Sequence, residues 1–155
     1  MYWEEKLNRI KQQFSKSQFR DPFSDWSSIL KKIEQQFIRR NEGGSEFCNW
    51  SLHIKNAQLI KSIPATQLLQ ELKRLKHEGN FWLVMIYGKS PSAKHLVYDC
   101  SLEPLEILIP YLFDFFIVDK KYRWLSFFSR FETANEVMIY RSGHKLTPFD
   151  DSKHD

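Results

Sequence analysis

The sequence predicts an α+β fold in which a mostly antiparallel sheet carries helices on one face. Three observations predict it. Apolar residues recur at spacings of three and four in separate stretches, the mark of amphipathic helices. Elsewhere the period switches to two, as around Trp50 and Ile54, or the run is apolar throughout, as in Phe81–Tyr87. Short polar links join the later strands, which suits hairpins. A chain of 155 residues and 18.7 kDa is one domain by length. The predicted order is ααβ-α-ββ-α-βββ, with five to six strands in the sheet, a domain over 1–142 and a polar tail over 143–155.

The first helix rests on Trp3, Leu7, Ile10 and Phe14, one face of a 3.6-residue period, with Glu4 and Glu5 complementing the dipole at its start. Ser15–Pro22 reads as a connector. Ser24 or Asp25 is a candidate cap for the second helix, whose stripe is Trp26, Ile29, Leu30, Ile33 and Phe37. Asn41 and the Gly43-Gly44 pair end it. Cys48, Trp50, Leu52 and Ile54 alternate with Asn49, Ser51, His53 and Lys55, which predicts a half-buried strand. Leu59–Pro64 then reads as a link to a third helix built on Leu68, Leu69, Leu72 and Leu75 and stopped at Gly79.

Phe81–Tyr87, apolar at each position, predicts a strand buried on both faces inside the sheet. Gly88–Ser92 is a turn, and Lys94–Asp99 returns as the hairpin partner. Ser101 is a candidate cap for a short helix through Leu105, Leu108 and Leu112, with Pro104 in its first turn. Phe115–Asp119, Arg123–Phe128 and Glu136–Tyr140 are the last three strands.

Composition excludes some classes. Hydrophobic residues at 42% and only 5 Gly and 6 Pro argue against a disordered or fibrous chain. The longest apolar run falls far short of the roughly 20 residues a membrane-spanning helix needs. The net charge is +4, but it is uneven: nine basic residues oppose six acidic in 1–44, six oppose three in 45–92, and eight oppose ten in 93–155. The N-terminus carries no basic-then-apolar leader pattern, so a cytoplasmic location is expected.

No motif for chemistry emerges, and neither a metal nor a cofactor is expected. The five histidines have no ligand at zinc spacing, although His53 and His95 on polar strand faces leave a site across the sheet open. Cys48 and Cys100 form no redox pair. His95, Asp99 and Cys100 have the wrong strand parity for a Cys–His centre. Glu103 and Glu106 share a helix face but sit where acids complement the dipole. An enzyme assembled from distant residues stays an open alternative.

Nucleic-acid binding is another alternative, through Lys73, Arg74 and Lys76 or Lys120, Lys121 and Arg123, with Trp50, Trp82 and Trp124 as stacking surfaces. The segment singled out for partner binding is Asp119, Lys120, Lys121, Tyr122 and Arg123, beside Trp124: a tight turn joining cations to amphipathic aromatics, residue types that dominate protein interfaces.

The stretch Leu102–Phe128 also carries a resemblance. A helix with Leu105 and Leu108 leads into Phe115, Phe116, Ile117, Val118, Asp119, Lys120, Lys121, Tyr122, Trp124 and Leu125. This pattern resembles small bacterial cytoplasmic immunity proteins of polymorphic and contact-dependent toxin systems. The resemblance implies a non-enzymatic protein that occludes a cognate toxin domain by direct binding, with no catalytic residues to carry over. The positive net charge suits an acidic partner surface.

Overall fold

The computed structural model describes residues 2–21, 26–39, 50, 53–74, 79–87, 94–112, 114–130 and 135–143. The helices are α1 (Tyr2–Gln13), α2 (Trp26–Phe37), α3 (Leu68–Lys73) and α4 (Leu105–Leu108). The strands are β1 (Phe19–Arg20), β2 (Gln58–Pro64), β3 (Phe81–Tyr87), β4 (Lys94–Cys100), β5 (Asp114–Val118), β6 (Trp124–Arg130) and β7 (Glu136–Gly143).

Among the described residues, seven strands form one antiparallel sheet in the order β1-β4-β3-β5-β6-β7-β2. The two predicted hairpins, β3–β4 and β5–β6, are present, β6 pairs on with β7, and β3 lies inside the sheet as expected. Its buried partner is β5, whose aromatics pair across to β6. Phe115 stacks on Phe128 at 4.7 Å and Phe116 on Phe127 at 4.6 Å, on opposite faces of the sheet. Each such cross-strand pair contributes on the order of 0.5–1 kcal/mol beyond burial.

Four expectations need correction. The sheet has seven strands, not five to six, because two segments read as connectors are strands. Phe19–Arg20 pairs with the end of β4, and Gln58–Pro64 pairs with β7. Both are edge strands. An edge strand buries little, so β2 shows no clean alternation, leaves Leu59 exposed, and tolerates the closing Pro64. The order of elements is accordingly αβαβα-ββ-α-βββ.

The strand expected around Trp50 and Ile54 is absent from the described part of that segment; Cys48, Asn49, Ser51 and Leu52 lie outside it. Ile54 makes an isolated bridge to Ile38, and Trp50 meets Phe116 edge-on at 5.8 Å. Trp50 and Ile54 pack into the core between α2 and the sheet instead of forming a strand of it.

Helices cover both faces, not one. Leu7 and Ile10 of α1, Leu68 and Leu72 of α3, and Leu105 and Leu108 of α4 pack with Phe81, Leu83, Phe115, Ile117 and Phe128. Ile29, Leu30, Ile33 and Phe37 of α2 pack with Val84, Val97, Phe116, Val118, Leu125 and Phe127 on the other side. Strands apolar at successive positions demand a cover on each face, and α2 supplies the second one. Trp26 begins the α2 stripe but is 55% exposed.

Finally, β7 runs through Ser142 to Gly143, with Ser142 buried, so the sheet takes in the first residue assigned to the tail. The rest of that tail, 144–155, lies outside the described residues, as do the Gly43-Gly44 helix stop, the Gly88–Ser92 turn and the Ser24 and Asp25 caps.

Candidate partner-binding site

The five residues singled out in the sequence form the turn between β5 and β6. The Tyr122 N–H donates to the Asp119 carbonyl at 2.8 Å, and the Asp119 N–H donates to the Trp124 carbonyl at 3.1 Å. Tyr122 takes a left-handed conformation with φ +57, which costs a residue with a Cβ about 1 kcal/mol. Its half-buried ring packs at the edge of the α2 core, an offset to that cost. The Asp119 side chain is 2% exposed and closes the turn from inside. Its Oδ2 accepts from the Arg123 backbone N–H at 3.1 Å and from Arg123 Nε at 2.7 Å, while its Oδ1 accepts from Arg123 Nη2 at 3.2 Å. This two-pronged pairing fixes the guanidinium in the plane of the carboxylate. Burial pushes the Asp119 carboxyl up, but the Arg123 bonds outweigh it and hold the group below its ordinary range. Burial also raises the Tyr122 phenol, weakly offset by the approach of the Trp82 indole, whose Nε1 has no regular hydrogen-bond partner among the described residues.

The turn does not offer all five residues outward. Lys120 is turned back across the sheet. Its Nζ lies 2.6 Å from Asp99 Oδ2 and 4.7 Å from the centre of the Trp82 ring. Asp99 is 2% exposed at the end of β4 and gathers three donors. Besides Lys120, Arg20 gives Nε and Nη2 to Oδ2 at 3.1 and 3.0 Å, and Asn80 gives Nδ2 to Oδ1 at 2.7 Å. Asn80 also donates to the Ser17 carbonyl at 2.7 Å. Burial raises the Asp99 carboxyl, but the bonds from Lys120, then Asn80 and Arg20, bring it below its usual range. A desolvated carboxylate with this many donors is a structural latch, tying β1, the start of β3, the end of β4 and the β5–β6 turn together.

What the turn presents is therefore Lys121 and Arg123, both exposed, and part of Tyr122. Lys32 of α2 reaches the same place, with Nζ 5.8 Å from the Tyr122 ring centre. In the sequence Asp99 stands out only beside Cys100, in another role, and Arg20, Asn80 and Lys32 do not stand out at all. No local signal marks them, because each becomes part of the site only through strand pairing or helix docking.

The other candidates are not brought together. Asp99 and Cys100 face opposite sides of β4, and Cys100 is buried in the α1–α3 core, with its thiol pushed well up by burial. His53 lies outside any strand. Lys73 faces Glu106 at 3.7 Å and Arg74 faces Glu71 at 3.6 Å, so that cluster is a set of ion pairs; Lys76 is outside the described residues. Trp50 and Trp124 are buried rather than open for stacking. Ser101 does not cap the short helix; its Oγ donates to Glu103 at 2.6 Å. Among the described residues no group of three or more His, Cys, Asp or Glu side chains is placed to hold a metal ion, and no helix is long and apolar enough to cross a membrane.

Residues 5–143 match a family of unknown function, DUF6756. The chain belongs to the DUF6756 family. The match takes in α1 from Glu5 and ends on Gly143, the last residue of β7, so the DUF6756 unit contains the whole sheet, the Asp99 latch and the Asp119–Arg123 turn. No curated protein and no solved structure matches the chain.

Proposed function

We propose that this DUF6756 protein is a non-enzymatic partner-binding protein of the toxin-immunity type, acting in the cytoplasm of the producing bacterium by covering a cognate toxin. One observation carries the reading. The β5–β6 turn is preformed: the Asp119 carboxylate orients Arg123, Tyr122 is locked in a left-handed conformation, and Lys121 and Arg123 stand exposed on that base. A surface that is rigid before binding loses little conformational entropy on association, and Tyr and Arg are frequent anchors.

The test is co-expression with the product of the adjacent gene, followed by affinity capture and a growth assay. The expected result is stable capture and rescue of growth, with the Lys121→Ala/Arg123→Ala variant weakened at least about tenfold, the scale of one interface anchor. Absence of both capture and rescue overturns the proposal. The same two cations favour a nucleic-acid partner as the competing reading; binding to DNA or RNA that falls steeply with salt is its signature.

A further inference from the structure

The charged groups on the two sides of the sheet are arranged differently. On the α1–α3–α4 side most cations face carboxylates: Lys11 meets Asp21 at 3.0 Å, Lys61 meets Glu71 at 2.9 Å, and Lys73 and Arg74 pair as described above, while Arg9 and Lys16 make no ion pair among the described residues. On the α2 side the pairing is sparser, with Arg123 held by Asp119. Lys31, Lys32 and Lys121 make no ion pair among the described residues.

These cations belong to one continuous surface. Lys32 lies over Tyr122 of the turn. A groove of about 420 Å³ runs along α2 between Lys31, Glu34, Gln35, Ile38 and Lys55. A second of about 360 Å³ continues past Lys55 to Gln58 and Arg141, and ends on Gly143. Gly143 in turn abuts the Arg123 carbonyl and the Phe37 ring, which joins the far groove back to the turn. Lys31, Lys32, Lys55, Lys121 and Arg123 thus share this surface, where the carboxylates among the described residues are Glu34 and Asp119, and Asp119 is already taken by Arg123.

From this we infer that the α2 side, from the Lys121–Arg123 turn across to Lys55 and Arg141, is the docking face for an acidic protein surface. The inference deepens the partner-binding reading above and rests on it. The choice of protein over nucleic acid follows from the spacing. Neutral amides, Gln35, Gln36, Asn56 and Gln58, stand between the cations in both grooves. Separated cations with amide donors and acceptors between them suit the spaced carboxylates and peptide groups of a polypeptide. A phosphate backbone calls for a denser basic stripe.

The probe is fluorescein-labelled poly-L-glutamate, with single-stranded DNA of matched charge as comparison, titrated at low salt. The face variant is Lys31→Glu/Lys32→Glu/Lys121→Glu, three exposed positions. The control variant, Arg9→Glu/Lys16→Glu/Lys73→Glu, makes the same change in net charge on α1, the turn after it and α3. The face variant is expected to lose about tenfold or more of polyglutamate affinity, and the corresponding Lys→Gln triple about threefold, with the control close to wild type. Equal losses in face and control variants overturn the inference, as does failure of the wild type to bind polyglutamate. Tighter binding of DNA than of polyglutamate, lost in the face variant, also overturns it and assigns the face to nucleic acid. The probe is independent of any toxin. A face that binds polyglutamate while the neighbouring gene product is not captured separates failure of the immunity reading from failure of this one.

Discussion

Lys120 donates to the buried Asp99 carboxylate at 2.6 Å, across from β5 to the end of β4, and in doing so leaves the surface its neighbours occupy. The turn is thus divided in function. Lys120 and Asp119 hold it, and Lys121 and Arg123 face outward.

The two halves of the latch are expected to be unequal. Asp99→Ala removes the buried acceptor that Arg20, Asn80 and Lys120 share, at an expected cost of about 2–3 kcal/mol. Lys120→Ala leaves Asp99 with Arg20 and Asn80, and its partly exposed ammonium is solvent-screened, so about 1 kcal/mol is expected. Urea unfolding of the two variants measures the difference. Equal costs would show that Lys120 alone satisfies the carboxylate.

Acid should unlatch the same corner. The folded-state carboxyls of Asp99 and Asp119 lie below the ordinary aspartate range. Their contribution is fully present above the unfolded value near about 3.9, and is lost as pH falls from there through the lower folded values. Asp114 has the opposite sign: burial raises it, so its protonated form is favoured in the fold and it opposes stability at neutral pH. Stability measured against pH is expected to fall below about pH 4, and Asp99→Asn should flatten that fall.

Much of the fold was legible because period and burial agree. The interior strands β3, β5 and β6 are nearly continuous apolar runs, and hairpins follow from the short links between β3 and β4 and between β5 and β6. Legibility failed where local pattern and tertiary role part company. Trp50 and Ile54 alternate like a strand yet pack beside α2, and Gln58–Pro64 forms a strand whose partner, β7, lies some eighty residues on. The turn was visible in the sequence; the inward course of Lys120 was not, because Asp99 is brought to it by pairing of β4 with β3 and β3 with β5.

The thiol of Cys100 is expected to be silent in the native protein. It is fully buried, donates toward the Ser101 carbonyl at 3.0 Å, and is pushed well up by burial and then by Asp99 and Glu103. In a Cys48→Ser background, reaction with a thiol reagent should follow global unfolding and accelerate with denaturant. Rapid labelling without denaturant would mean that the β4 end opens locally.

Two glycines with positive φ allow a comparison of strain with crowding. Gly79 (φ +83) faces open space, whereas a Cβ at Gly143 (φ +106) would run into the Arg123 carbonyl oxygen and lie 2.8 Å from the Trp124 Cα. Gly79→Ala meets only the left-handed penalty, about 1 kcal/mol. Gly143→Ala adds a collision with backbone, which cannot swing aside as a side-chain tip does, so a cost of about 2 kcal/mol or more is expected. The collision pushes on the strand that follows Arg123, at the junction of the turn, the end of β7 and α2. Gly143→Ala should therefore loosen the Asp119–Arg123 turn as well as lower stability, read as faster amide exchange at Tyr122 and Arg123. A loss of stability with unchanged exchange there would place the strain in β7 alone.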